Sequence, residues 1–364
     1  MLSSLLKERL LFVGLAAAML AYMTEHSLLG MGRLPVLVAA FALVAAIILV
    51  STRIAHHAEI LASKVGDPYG TMILTLSAVL VEVVVLAIMM QGDTSPTLVR
   101  DTIYAAVMLD INGILGLAAL LGGLRHGEQP YNDDSGKTYG VMILTAMGIS
   151  MVVPEFVPRE SWHLYSAFTI GAMIALYAVF LRMQVGAHSY FFSYAYPRAE
   201  RMEGGHGETS DESEPATFSI VVIVIGVVLI GALAEVMSVL LGAGLKGTGA
   251  PPALMAVVVA AISAAPEILT ALRAALANRM QSVVNIAMGA SLSTVILTVP
   301  VMEAIALYTG QPFIMAMSPT QTVMVTITLI AAAINLNDGQ TNAIEGMTHF
   351  ILFATFVMLT LIGL

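Results

Sequence analysis

The chain contains no cysteine, which excludes a disulfide framework, zinc–thiolate sites and thiol catalysis. Charge is scarce too: 11% of the residues are Asp, Glu, Lys or Arg, where soluble domains carry about 25%. The HExxH, GxGD and GxSxG patterns are missing, so a membrane-embedded hydrolase would have midplane acids without a nucleophile or a paired base. No Lys or Arg falls in the middle of an apolar run, and aromatic residues make up only 7%, so a larger organic solute would find little to grip it. What fills the chain instead is apolar: 58% of 364 residues are hydrophobic and the mean hydropathy is +0.90. Apolar runs of about 18 to 25 residues, each long enough to cross a ~30 Å hydrocarbon core as a helix, succeed one another throughout. Twenty-four Met and 30 Gly suit helix packing in lipid. The net charge of −9 comes mainly from one loop and from acids inside apolar segments, and implies neither nucleic acid nor a basic partner.

Hydropathy between Gly, Pro and charge clusters predicts eleven spans, near 9–29, 34–52, 69–91, 99–122, 138–157, 163–184, 217–240, 251–276, 283–308, 318–335 and 347–363. The first run follows Lys7 and Arg9 and is read as a retained helix, not a cleaved signal peptide. If the connections alternate between faces, 15 Lys and Arg divide unequally, only Arg33, Arg100, Arg159 and Lys246 falling on the side opposite the N-terminus. The positive-inside rule then makes the N-terminus cytoplasmic and places the C-terminus across the membrane. The hydrophilic stretch 185–216, with Glu200, Glu203, Glu208, Asp211, Glu212 and Glu214, reads as a solvated acidic cytoplasmic linker. It leaves six helices before it and five after. The segments TLSAVLVEVVVL, holding Glu82, and AAISAAPEILTAL, holding Glu267, enter from opposite faces in this topology, as members of inverted repeats do.

Both glutamates are predicted near the bilayer centre, where an ionised carboxylate is costly unless it is protonated, paired or holding a cation. Proton and cation competing for such a pair, with access alternating between faces, is antiport. Two carboxylates neutralise one divalent ion, and calcium, which takes about six to eight oxygens, would draw the remainder from hydroxyls and carbonyls. Ser77 and Ser263 lie at similar depth, as ligands or as helix-packing hydroxyls. Pro266 is expected to break its helix locally and release carbonyls. Asp110, close to Asn112 in AAVMLDINGILG, is expected to line the same cavity; Glu235 in GALAEVMSVLL is similar, or forms a proton-access gate. Glu303 reads as an interfacial acid, and Glu59 with His56 and His57 as a solvated cluster or a cation relay.

These residues resemble the cation/proton exchanger (CAX) branch of the calcium:cation antiporter superfamily, and within it the bacterial ChaA-type sodium/calcium–proton antiporters. The resemblance spans nearly the whole chain. Its anchors are AEILASKVGDPYGTMILTLSAVLVE, with Glu59, Gly66, Gly70 and Glu82; SAAPEILTAL followed by NIAMGASLSTVILTVP, with Glu267, Gly289, Ser291 and Pro300; and NDGQTNAIEG, with Asp338, Gly339, Asn342, Glu345 and Gly346. It implies an all-α polytopic membrane protein: a leading helix (1–33), a five-helix repeat (34–184), the linker (185–216) and a second, inverted repeat (217–364). Glu82 and Glu267 would be the shared cation and proton site, with Asn112 and Ser293 as polar partners in the fourth and ninth helices. Glu235 matches an acid of the seventh helix, and Asp338 and Glu345 belong to the closing motif, placed with Glu59 at proton access or gating. The Gly-Asn pair that eukaryotic members carry before each central Glu is replaced by Ala78 and Val79, and by Ser263 and Ala264, and a His by Ile268. Fewer amide oxygens make a poorer calcium cage. The expectation is therefore exchange of Ca2+, Na+ or K+ for H+ in a bacterial inner membrane, with no cofactor, no enzymatic step, a lipid bilayer around it and room for homo-oligomers. A cation channel is the principal alternative; it would want rings of ligands from several subunits.

Overall fold

A computed structural model of the chain describes residues 8–65, 69–91, 95–186, 188–194, 215–311 and 313–364. Among them are eleven helical rods: α1 (Arg9–Gly30), α2 (Arg33–Val65), α3 (Tyr69–Gln91), α4 (Leu98–His126), α5 (Asp133–Phe156), α6 (Arg159–Val185), α7 (Ala216–Leu245), α8 (Ala253–Leu276), α9 (Met280–Thr309), α10 (Pro319–Asn335) and α11 (Ala343–Leu361). Nine of these described rods are long and apolar enough to cross a membrane, and α10 is a shorter apolar helix, as is Thr75–Gln91 within α3. The chain is thus an all-α polytopic membrane protein. Tyr308 and Leu164, 93% and 77% exposed, illustrate large side chains facing outward where the solvent is lipid.

Two differences from the hydropathy reading have physical causes. α2 runs to Val65, well past the expected end at 52, because the polar residues that close its apolar run find partners inside the protein. Pro266 does not interrupt α8, which is continuous from Ala253 to Leu276; the proline only withholds one backbone N–H from the Ile262 carbonyl.

The rods form two compact units. The first, Met1–Leu98 with Thr209–Pro266, packs α7 along α2, with α1 and α3 alongside. Small residues permit the approach: a Cβ on Gly226 would come within 2.7 Å of Ile54, and one on Gly244 within 2.5 Å of Leu37. At its edge Glu8 is buried and takes a two-pronged hydrogen bond from Arg53, Nε and Nη2 each at 2.7 Å. His57, fully buried, places Nε2 at 3.2 Å from the same carboxylate and Nδ1 at 3.2 Å from Ser219 Oγ. A carboxylate only accepts, so Nε2 carries a hydrogen toward Glu8. The expected solvated cluster is therefore corrected: Glu59 is exposed, but His57 is a core residue.

The second unit, Val99–Glu208 with Glu267–Leu364, is organised by the antiparallel crossing of α4 and α11. The two backbones touch. A Cβ at Gly346 would overlap the Leu120 nitrogen, one at Gly123 the Ala343 nitrogen, and one at Gly116 would lie 2.9 Å from the Phe350 nitrogen. Beyond this crossing, Gln129–Pro130 (β1) pairs antiparallel with Gln340–Thr341 (β2), Gln129 opposite Thr341. β1 follows the fourth rod and β2 precedes the eleventh, with six rods between them. Two loops can share a face across six crossings, so the pairing agrees with strict alternation. At the opposite end of α4, Arg100 donates to the Ala316 carbonyl at 2.7 Å and Asp101 accepts from Gln321 of α10 at 2.9 Å. Part of the expected linker is built onto this unit, since Asn132 donates to the Tyr190 carbonyl at 2.9 Å and Asn285 to that of Phe192 at 2.9 Å. Its acidic residues lie outside the described residues, as does Gly66.

Candidate functional site

In the first unit, Glu82 sits midway along α3 and is 3% exposed. That helix contains no basic residue, and its only other non-aliphatic side chains belong to Tyr69, the threonines, Ser77 and Gln91. Ser77 is half-buried. On α8, Ser263 and Glu267 are one turn apart and so share a helix face; both residues are half-buried. The Ser263 hydroxyl oxygen is itself buried and has no hydrogen-bond partner among the described residues. A buried hydroxyl left so is uncommon. Glu235 has a different setting: it is exposed on α7 and accepts a 2.6 Å hydrogen bond from the Tyr22 hydroxyl of α1.

The second unit concentrates polarity where its helices loosen. α4 changes from α to π winding at Leu109–Leu115, and α9 does so at Thr294–Thr298. A π turn widens the helix by one residue and is frequent at functional sites. Asp110 and Asn112 lie in the first of these segments and Ser291 and Ser293 immediately precede the second. The two are joined: Ser291 donates to Asp110 at 3.1 Å, both side chains being buried. Ser293 turns back onto its own helix and donates to the Gly289 carbonyl at 2.7 Å. Asn112, wholly buried, has both ends of its amide engaged: Nδ2 donates to Thr328 Oγ1 at 2.8 Å, and Oδ1 lies 2.9 Å from His349 Nδ1. It is therefore a scaffold residue tying α4 to α10 and α11. A third π segment, Gly148–Val152 in α5, has no counterpart in the sequence reading.

Glu303, expected at an interface, is instead buried in α9 at 2% exposure, with Oε2 lacking a partner among the described residues. The closing motif has a clear structural task. Asn342 caps α11, its side chain accepting from Ile344 and Glu345 N–H groups, and Gly339 takes a positive φ of 75° beside Tyr131. Asp338 is exposed and accepts from the Gln340 N–H at 3.1 Å. Glu345 is half-buried; Oε1 accepts from Asn342 at 2.9 Å, and Oε2 is buried and unpartnered among the described residues. Tyr131, in the loop after α4, has its hydroxyl pushed well above the ordinary value by burial, reinforced by Asp338, Glu345 and Asp133 nearby. Sequence reasoning missed Glu8, Thr328 and His349. Only His349 carried a signal, as a titratable residue inside an apolar run.

Comparison with known proteins agrees with this architecture. Residues 35–186 and 218–362 each match the sodium/calcium exchanger protein family. The chain is 32% identical over 308 residues to the sodium-potassium/proton antiporter ChaA of Escherichia coli K12, covering 84% of both chains. It is 26% identical over 286 residues to a Ca2+/H+ antiporter of Synechocystis, covering 72% of this chain and 74% of that one. In fold it is similar to the structure of native YfkE, at a TM-score of 0.74 and 16% identity, covering 97% of this chain and 99% of the other. With matched segments covering most of its length and its rods following the same path, the chain belongs to the sodium/calcium exchanger protein family and is a multi-pass membrane antiporter of inorganic cations.

Proposed function

We propose that this antiporter exchanges Na+, K+ or Ca2+ for H+, and that Glu82 and Glu267 are the carboxylates on which cation and proton compete. The observation that carries the reading is the burial of Glu82 halfway along α3, a helix without a basic side chain. A bare charged carboxylate so placed is costly, and either a proton or a cation relieves that cost. Filling it with one requires releasing the other, which couples the two fluxes without any further chemical step. Glu267 is the matching acid in the second matched segment, with Ser263 one turn away. Asp110, buried and held by Ser291, adds a further acid, which bears on how many protons move per cation.

The two separately matched segments support a pair of inverted repeats, at 34–184 and 217–364, as the machinery of alternating access. Basic residues support the sidedness. Arg125, Lys137, Arg273 and Arg279 cluster in sequence around the loops on the β1–β2 side of the second unit, which makes that face cytoplasmic, in keeping with a bacterial inner membrane. The names of the relatives bracket the ion choice between sodium or potassium and calcium.

The test is reconstitution. Proteoliposomes with an imposed pH gradient and an enclosed pH dye should show proton movement on addition of at least one of NaCl, KCl and CaCl2. Glu82→Gln and Glu267→Gln should each abolish it while the purified variants keep the helical content of the parent. Proton movement at the parental rate in either variant would remove that residue from the exchange site.

A further inference from the structure

We infer that His349 is a proton-binding station of the transporter, fed from the membrane surface by Glu345. The proposal rests on the antiporter reading but on neither Glu82 nor Glu267. His349 lies two turns into α11 and is 3% exposed. Its Nδ1 meets Asn112 Oδ1 at 2.9 Å. With Asn112 Nδ2 committed as donor to Thr328, the atom facing His349 is the amide oxygen, which can only accept. His349 Nδ1 therefore bears the hydrogen, and the neutral ring presents a lone pair at Nε2. That Nε2 is buried and has no hydrogen-bond partner among the described residues. A fixed tautomer with one open basic nitrogen is the arrangement a proton acceptor requires.

The donor is one turn away. Glu345 precedes His349 by four residues and so lies on the same face of α11, at the helix end that the β1–β2 loops surround. It too has an unpartnered buried oxygen, Oε2. Protonated Glu345 can pass its proton to His349 Nε2, leaving a carboxylate and an imidazolium whose charges sum to zero, so the transfer avoids the cost of a lone buried charge. Reversal returns the proton to the same oxygen. The other titratable groups near this line are few. α10 carries none; on α4, Asn112, Gly113, Gly116 and Gly123 are turned toward α11, as is Tyr104 farther along at Phe356, while Asp110 is turned to Ser291 of α9. Tyr131 and Asp338 stand on the surface side of Glu345.

His349→Asn separates a proton station from a mere prop, because the Asn amide nitrogen falls where Nδ1 was and keeps the bond to Asn112 while removing Nε2. The full-length protein, purified without a histidine tag and labelled with 15N-histidine in nanodiscs, gives one signal that His349→Asn deletes. Its Nε2 should pass from bare to protonated as the pH is lowered from about 8 to 3, and Glu345→Gln should move that midpoint. In proteoliposomes His349→Asn should slow cation-driven proton movement about 100-fold, the low end of what a positioned proton carrier supplies, and flatten its pH profile. An Nε2 that stays bare across that range, or exchange by His349→Asn at the parental rate and pH profile, would overturn the proposal. Absence of exchange by the parent protein would instead refute the antiporter reading, with the nitrogen titration still deciding the status of His349.

Discussion

Single residues in this protein are governed by what burial does to a polar atom. Glu8 shows the compensated case: burial opposes its charge, but the guanidinium of Arg53 and the imidazole of His57 outweigh it and hold the carboxyl below its ordinary value of 4.5. A depressed folded-state value means that the stabilisation is complete above the ordinary value and is lost as the pH falls through the folded one. Thermal melts in detergent between about pH 6 and 3 should therefore show an acid-side loss that Glu8→Gln lacks; identical profiles would count against the pairing. Asn112 shows the opposite risk. Asn112→Leu leaves the Thr328 hydroxyl and the His349 N–H facing an apolar side chain, and each stranded buried group costs about 1–3 kcal/mol. A fall in melting temperature of several degrees is expected, and a variant melting with the parent would show that the amide ties nothing together.

Helices are where the hydropathy reading succeeds and where its blind spots lie. Eleven apolar runs became eleven rods because in lipid every backbone group must be satisfied within the segment, so length and apolarity decide the element almost alone. The end of α2 was not legible, since Arg53 and His57 look like solvated residues until Glu8 and Ser219, far away in sequence, are brought to them. The π segments at Leu109–Leu115 and Thr294–Thr298 leave no mark in residue type or spacing, although Asp110, Ser291 and Ser293 stood out beside them. Glu82 and Glu267 were legible for the reason that makes them functional candidates: an acid in an apolar run is visible against its background. The α4–α11 contact was only half visible, as glycines in a motif. Its stringency follows from backbone meeting backbone, with no side chain able to yield. Gly346→Val should therefore abolish monodisperse protein in size-exclusion chromatography, whereas Gly140→Ala, at a site open to a Cβ, should elute as the parent does. Well-folded Gly346→Val would contradict the close approach.

For the molecule as a whole, the absence of cysteine turns topology into a direct experiment. Single cysteines at Glu128 and Asp338, beside β1 and β2, should react with an impermeant maleimide only when the cytoplasmic face is open, and one at Thr248 only from the other side. Labelling of Glu128→Cys and Thr248→Cys from the same side would overturn the eleven-crossing arrangement. Sidedness matters because antiport is defined by what is exchanged between two faces.

The central claim is that proton and cation exclude one another at Glu82 and Glu267, and it can be measured without any gradient. Purified protein in weakly buffered detergent solution is titrated with NaCl, KCl or CaCl2 while the released protons are followed by a pH dye. Saturable release is expected on addition of the transported cation, and it should be abolished in Glu82→Gln and in Glu267→Gln. Cation binding without proton release, or release that persists unchanged in both variants, would contradict it.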